Sequence, residues 1–205
     1  SHPPASAPPD AEDDLEAPLL PPAGGDPPAG RDSFTAIALG GLIICLGVGA
    51  EISYGVWIFT FAHKAAGVSV ASATAINSLY WSSMTVGRVA AVPVSAVAPP
   101  EFMLGAGFAA GVGSMAALAL LPASSACLWV ATAGIGVGVA PLFPNTMSLV
   151  GRYTRTTGMG VAVLSTCGGL GDMILPPLVA LSVKRASSGL LVMPMWVGGM
   201  LGGSG

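Results

Sequence analysis

The sequence predicts an all-α, multi-pass membrane protein, and three observations carry that reading. Hydrophobic residues make up 53% of the 205-residue chain and charged residues only 8%, against about 25% charged in an ordinary soluble domain. The apolar residues fall in successive blocks parted by short polar or proline-bearing breaks, as repeated bilayer crossings require. Only three charges sit inside those blocks: Glu51, Arg88 and Asp172. So few charges cannot cover a water-facing surface, and lipid is the expected solvent.

Taken in order, residues 1–32 are rich in Pro, Ala and Gly and carry the acids Asp10, Glu12, Asp13, Asp14, Glu16 and Asp26 without one aromatic residue. Such a segment cannot bury enough apolar surface to offset its ordering entropy, so a disordered linker is expected. The chain opens on Ser1 rather than Met and has no signal-peptide pattern, so it reads as a piece of a longer chain. Arg31 and Asp32 mark a water boundary before Ser33, a suitable helix N-cap.

Six apolar spans follow, at about 33–61, 71–97, 101–121, 127–149, 157–182 and 189–201, each set against the roughly 20 residues that cross a hydrocarbon core. Pro93 and Pro176-Pro177 are natural kink points in the long second and fifth spans. The fourth is interrupted at Pro141-Leu142-Phe143-Pro144-Asn145, where a broken helix would aim Asn145 and loose backbone groups at a cavity. The sixth is short and is expected to be truncated. With six crossings, Arg31, Arg152 and Arg155 fall on one side with Arg88 near it, and Lys64, Lys184 and Arg185 on the other. Gly107 with Gly111 and Gly134 with Gly138 recur four apart, the spacing that lets helix backbones approach in lipid.

Several function classes are disfavoured. A net charge of -3 without a basic cluster gives no electrostatic footprint for nucleic acid. His2 lies in the linker and His63 stands alone, so no serine, cysteine and histidine set is available for nucleophilic catalysis, and no enzyme activity is expected. Cys45, Cys127 and Cys167 have no short spacing and no nearby histidine, so they read as small buried thiols, and neither metal nor cofactor is expected. Membrane lipid and a small solute are the expected partners.

An acid or arginine at a helix centre costs about 2.5–3.5 kcal/mol on insertion scales and is tolerated where it pairs or lines a wet cavity. Glu51 could bind a cation, carry a proton, accept hydroxyls or simply fix packing, and Tyr54 shares its face one turn on. In the second span Asn77, Tyr80, Trp81, Met84 and Arg88 form one helical stripe. Aromatic-plus-amide stripes suit carbohydrate, whose C–H faces stack on rings while amides bond hydroxyls; interfacial packing is the alternative. Ser165, Gly168, Gly169 and Asp172 share a face of the fifth span. Prolines 176 and 177 there free backbone carbonyls beside a carboxylate, the raw material of a cation site. A salt bridge to Arg88 is the rival role for Asp172. Glu51, Arg88 and Asp172 are therefore candidates for ion coupling or charge pairing, and Tyr54, Asn77, Tyr80, Trp81 and Asn145 for solute binding.

The segments GAEISYGVWIFTFA (49–62), LYWSSMTVGRVAAVPVS (79–95), GIGVGVAPLFPNTMSLVGRYT (134–154) and GGLGDMILPPLVA (168–180) resemble, in order and spacing, the C-terminal half of major facilitator superfamily transporters. The branch resembled contains the sodium-dependent glucose transporter and its fucose-permease-like relatives. The resemblance covers about residues 33–200 and implies a six-helix bundle, 33–205, preceded by the central cytoplasmic loop and completed by a missing N-terminal six-helix half. It implies secondary active transport of a sugar or similar polar organic solute by alternating access, coupled to Na⁺ or H⁺, with the plasma membrane as location. A uniporter, or a non-transporting orphan fragment partnering another chain, is the alternative. Asp172 stands where a glutamate is expected of that branch.

Overall fold

The computed structural model describes residues 31–122, 124–154, 158–185 and 192–203. The expected linker up to residue 30, and Arg155, lie outside the described residues.

Among the described residues the chain is all helical: α1 (Arg31–Lys64), α2 (Val70–Ser95), α3 (Pro100–Leu120), α4 (Ser125–Val139), α5 (Leu142–Tyr153), α6 (Gly158–Arg185) and α7 (Val192–Gly202). Local chemistry sets several ends. Ser69 caps α2, accepting from the Ser72 N–H at 3.2 Å, and Ser124 caps α4, accepting from Cys127 at 3.3 Å. Pro100 starts α3, where its missing N–H costs nothing. Gly67, at φ 69°, makes the left-handed turn between α1 and α2 that a side chain would resist.

Four segments are long and apolar enough to cross a membrane: Phe34–Lys64, Pro100–Leu120, Ser125–Tyr153 and Gly158–Val183. They match the first, third, fourth and fifth expected spans. α2 has the length, at 26 residues, but it exposes Thr74, Ser78, Trp81, Thr85 and Arg88 along one face, and this polar stripe lowers its apolarity. α7, at 11 residues, is too short to cross. The fourth span divides into α4 and α5 where Pro141 and Pro144 remove helix donors, so the expected break is present. By contrast α2 continues through Pro93 and α6 through Pro176-Pro177.

Glycine lets the helices approach. A Cβ at Gly107 would stand 2.6 Å from the Gly138 carbonyl oxygen, and one at Gly138 2.9 Å from that of Gly107, so α3 and α4 meet backbone to backbone. Across α1 and α6, a Cβ at Gly171 would run into the Cys45 carbonyl, and one at Gly41 would lie 3.0 Å from Cys167 Sγ. Gly136 faces Ser83 and the Tyr80 carbonyl of α2. The 134–138 glycine run is thus used on both faces for packing. Glu101 and Arg152 pair at 2.8 Å, joining the first turn of α3 to the end of α5.

Candidate functional site

The polar residues of α1 and α2 meet in a seam that also touches α4 and α5. Glu51, 7% exposed, receives the Arg88 guanidinium, Nη2 to Oε1 at 2.9 Å. The pair is asymmetric: the Glu51 side chain is buried, whereas that of Arg88 is 55% exposed. One charge is held inside the bundle and its partner opens outward.

Two tyrosines brace this pair from behind. The Tyr80 hydroxyl donates to the Glu51 carbonyl at 2.8 Å, tying α2 to the acid's own backbone. Thr132 on α4 gives its proton to the Leu128 carbonyl at 2.7 Å, so in the 2.8 Å contact with Tyr54 the tyrosine is the donor. The Tyr54 and Tyr80 rings lie 4.9 Å apart and tilted, and Trp81 meets Tyr80 edge-on at 5.1 Å. Gly55 makes this possible, since a Cβ there would collide with both Trp81 and Tyr80, at 2.5 and 3.1 Å.

Arg88 also lines a cavity of about 310 Å³ with Ala91, Ala140, Phe143 and Pro144, at the α4–α5 break. Phe143 turns from there toward α6, where its ring lies 3.9 Å from the position of a Cβ on Gly168. Asp172, one turn beyond Gly168, is within Coulombic reach of Glu51. Its Oδ1 is buried without a hydrogen-bond partner among the described residues. A larger cavity, about 570 Å³, lies between α1 and α5 against Leu39, Ile43, Leu149 and Val150. Thr35, Thr146, Arg152 and Tyr153 add polar groups to its lining.

The expected site residues are thus partly gathered. Glu51, Arg88, Tyr54, Tyr80 and Trp81 form one connected group. Tyr54 and Tyr80 are fully buried with both hydroxyls engaged, whereas Trp81 is 40% exposed. Asn77 is half-buried, its Oδ1 without a partner. Asn145 is 6% exposed, its Nδ2 likewise unpartnered, and it does not line the Arg88 cavity. Arg88 pairs with Glu51, so the alternative pairing with Asp172 is not the one formed.

Sequence reasoning missed Thr132, Phe143 with Pro144 as the wall facing Arg88, and the bond from Trp57 Nε1 to the Pro176 carbonyl at 3.2 Å. Thr132 gave the only available signal, a hydroxyl amid an apolar run.

Comparison with known proteins gives the family. The chain is similar to the sodium-dependent glucose transporter 1A of Mus musculus, 33% identical over 137 residues, which is 65% of this chain and 32% of that protein. It is 30% identical over 134 residues to the sodium-dependent glucose transporter 1 of Homo sapiens, covering 65% of this chain and 26% of the relative. It is 28% identical over 158 residues to the major facilitator superfamily domain-containing protein 4A of Mus musculus, covering 76% and 31%. The match thus spans between a quarter and a third of each relative's length. The family model described as Major Facilitator Superfamily matches residues 1–176; with its long apolar helices, the chain is an integral membrane protein belonging to that superfamily.

Proposed function

We propose that the chain is the C-terminal six-helix half of a secondary active transporter for a sugar or similar polar organic solute. The supporting observation is the Glu51–Arg88 pair opening on a cavity beside a broken helix. A guanidinium half exposed within a membrane-length helix is costly in lipid and comfortable in a wet cavity, so the polar stripe of α2 faces water and α2 crosses with the others. A solute there meets the donors of Arg88, with the acceptors of Glu51 behind them; the exposed ring of Trp81 and the amide of Asn77, further along α2, suit sugar C–H faces and hydroxyls. Tyr54 and Tyr80 hold Glu51 in place, and Asn145 stands behind the break.

In this reading the residues before Arg31 belong to the cytoplasmic loop joining two halves, α7 belongs to a sixth crossing, and the two halves rock about the central site in the plasma membrane. Two relatives named as sodium-dependent glucose transporters favour a sugar and a cation. Na⁺ or H⁺ then couples through Glu51 or Asp172. The test is uptake of labelled sugar into proteoliposomes containing the complete transporter, with and without a Na⁺ or pH gradient. Gradient-driven accumulation is expected; equal uptake without either gradient removes the coupling, and no uptake of any sugar removes the solute class.

A further inference from the structure

The α1–α2 seam fixes where the Trp81 ring stands, and the residue that fixes it has no side chain. A Cβ on Gly55 would lie 2.5 Å from Trp81 Cζ2 and 3.1 Å from Cη2, so the outer edge of the indole rests on bare α1 backbone. The Tyr80 ring meets the indole edge-on at 5.1 Å, and the Tyr80 hydroxyl is itself tied to the Glu51 carbonyl at 2.8 Å. Trp81 is thus held by two neighbours while 40% of it stays exposed. It shares its exposed arc with Ser78, Thr85 and Arg88, a face that lipid penalises at the guanidinium.

The same stretch of α1 receives Arg88. Its guanidinium meets Glu51 and the indole meets Gly55, residues four apart that share a helix face and stand about 6 Å apart along the axis. On α2 the two side chains start about 10.5 Å apart, so their contacts with α1 draw their ends together. A flat apolar ring and a set of hydrogen-bond donors about one turn apart match a single pyranose, which offers a C–H face to the one and hydroxyls to the other. An open-chain polyol carries the same hydroxyls and lacks the flat face.

We infer that Gly55 is a specificity-determining position: by leaving room for Trp81 one turn from the Glu51-bound guanidinium, it selects a closed sugar ring over an open-chain polyol. The inference rests on the solute reading given above and narrows its substrate class. Gly55 itself touches no solute; it is a positioning residue that acts through Trp81. The clash that an added methyl would bring is with the far end of the indole, unlike that at Gly138, which meets a backbone carbonyl. Gly55→Ala therefore turns the ring away and leaves α1 and α2 in contact.

Equilibrium binding of tritiated D-glucose to the purified complete transporter in detergent tests this without a transport step. Sorbitol, the open-chain counterpart with the same hydroxyl configuration, serves as competitor, and gel filtration and the unfolding midpoint control for folding. In the wild type, unlabelled glucose should compete about tenfold better than sorbitol. Gly55→Ala and Trp81→Ala should each weaken glucose binding about fivefold and bring the two competitors within about twofold of each other. The double variant Gly55→Ala/Trp81→Ala should bind like Trp81→Ala alone, because Gly55 acts through the ring. Gly55→Ala/Trp81→Phe, whose smaller ring ends short of the added methyl, should recover glucose binding to within about threefold of wild type. A folded Gly55→Ala that binds like wild type, losses that add in the double variant, or a wild type that binds sorbitol as well as glucose overturns the inference. Trp81→Ala, which adds no bulk, carries the test by itself: an undiminished preference for glucose also overturns it. Uptake separates the two ideas. The expected binding pattern without uptake removes transport and leaves this role of Gly55, whereas glucose uptake unaffected by Gly55→Ala removes the role alone. A folded wild type that binds neither compound removes both.

Discussion

The α3–α4 seam and the α1–α2 seam are both close helix contacts, yet they are built from opposite materials. At α3–α4, Gly107 and Gly138 face each other's carbonyls, and Gly134 lies on Ser114, so contact is main chain to main chain and dispersion holds it. At α1–α2, Tyr54, Tyr80, Glu51 and Arg88 are joined by hydrogen bonds and an ion pair, with Gly55 merely making room for the rings. The first seam tolerates no added atom but carries no chemistry. The second carries polar groups that lipid penalises unless something wet uses them. Close backbone packing and polar pairing are therefore laid down in different interfaces of one bundle.

Five substitutions sharpen this contrast. Glu51→Gln leaves Arg88 without its counter-charge and should abolish coupled uptake while leaving expression and monodispersity intact; unchanged transport would take Glu51 out of the site. Gly138→Val tests the dry seam: the new side chain meets the fixed carbonyl oxygen of Gly107, and overpacking of this kind costs about 1–3 kcal/mol, read as a lowered unfolding midpoint. An unshifted midpoint means that α3 and α4 separate easily. Tyr54→Phe removes the bond to Thr132, and interhelical bonds in membranes average about 0.6 kcal/mol. Thr132→Val should cost a similar amount, and the double variant should cost less than the two singles added together. Additive losses would mean the two hydroxyls do not act on each other. Glu101→Gln should change stability least, since the Glu101–Arg152 pair is about half exposed on both sides and such pairs are worth about 0–1 kcal/mol.

The two seams also differ in how far the sequence reveals them. Gly107, Gly111, Gly134 and Gly138 are legible because small-residue spacing depends only on one helix's own period. The breaks at Pro99-Pro100 and Pro141–Pro144 are legible because proline acts locally. The charges Glu51, Arg88 and Asp172 stand out for their rarity. Their partners do not, because Glu51 and Arg88 are 37 residues apart and pairing depends on how two helices are rotated. The α2 stripe shows the same limit. Its residues straddle the edge between the inward arc, with Tyr80 and Met84, and the outward one, with Trp81 and Arg88. Periodicity gives the stripe's direction and not which half of it is covered. Thr74, Ser78 and Thr85, which complete the outward arc, look like ordinary small polar residues until the burial of their neighbours is known.

The central claim is that the cavity beside Arg88 is water-filled and takes the solute. Ala91 lines it and Val130 lies on the outer surface of α4 at 74% exposure. In the complete transporter carrying Cys45→Ser, Cys127→Ser and Cys167→Ser, a membrane-impermeant thiol reagent applied to Ala91→Cys and Val130→Cys compares the two positions directly. The account predicts that Ala91→Cys reacts, that sugar slows the reaction, and that Val130→Cys stays unmodified in lipid. An Ala91→Cys as inert as Val130→Cys would contradict it.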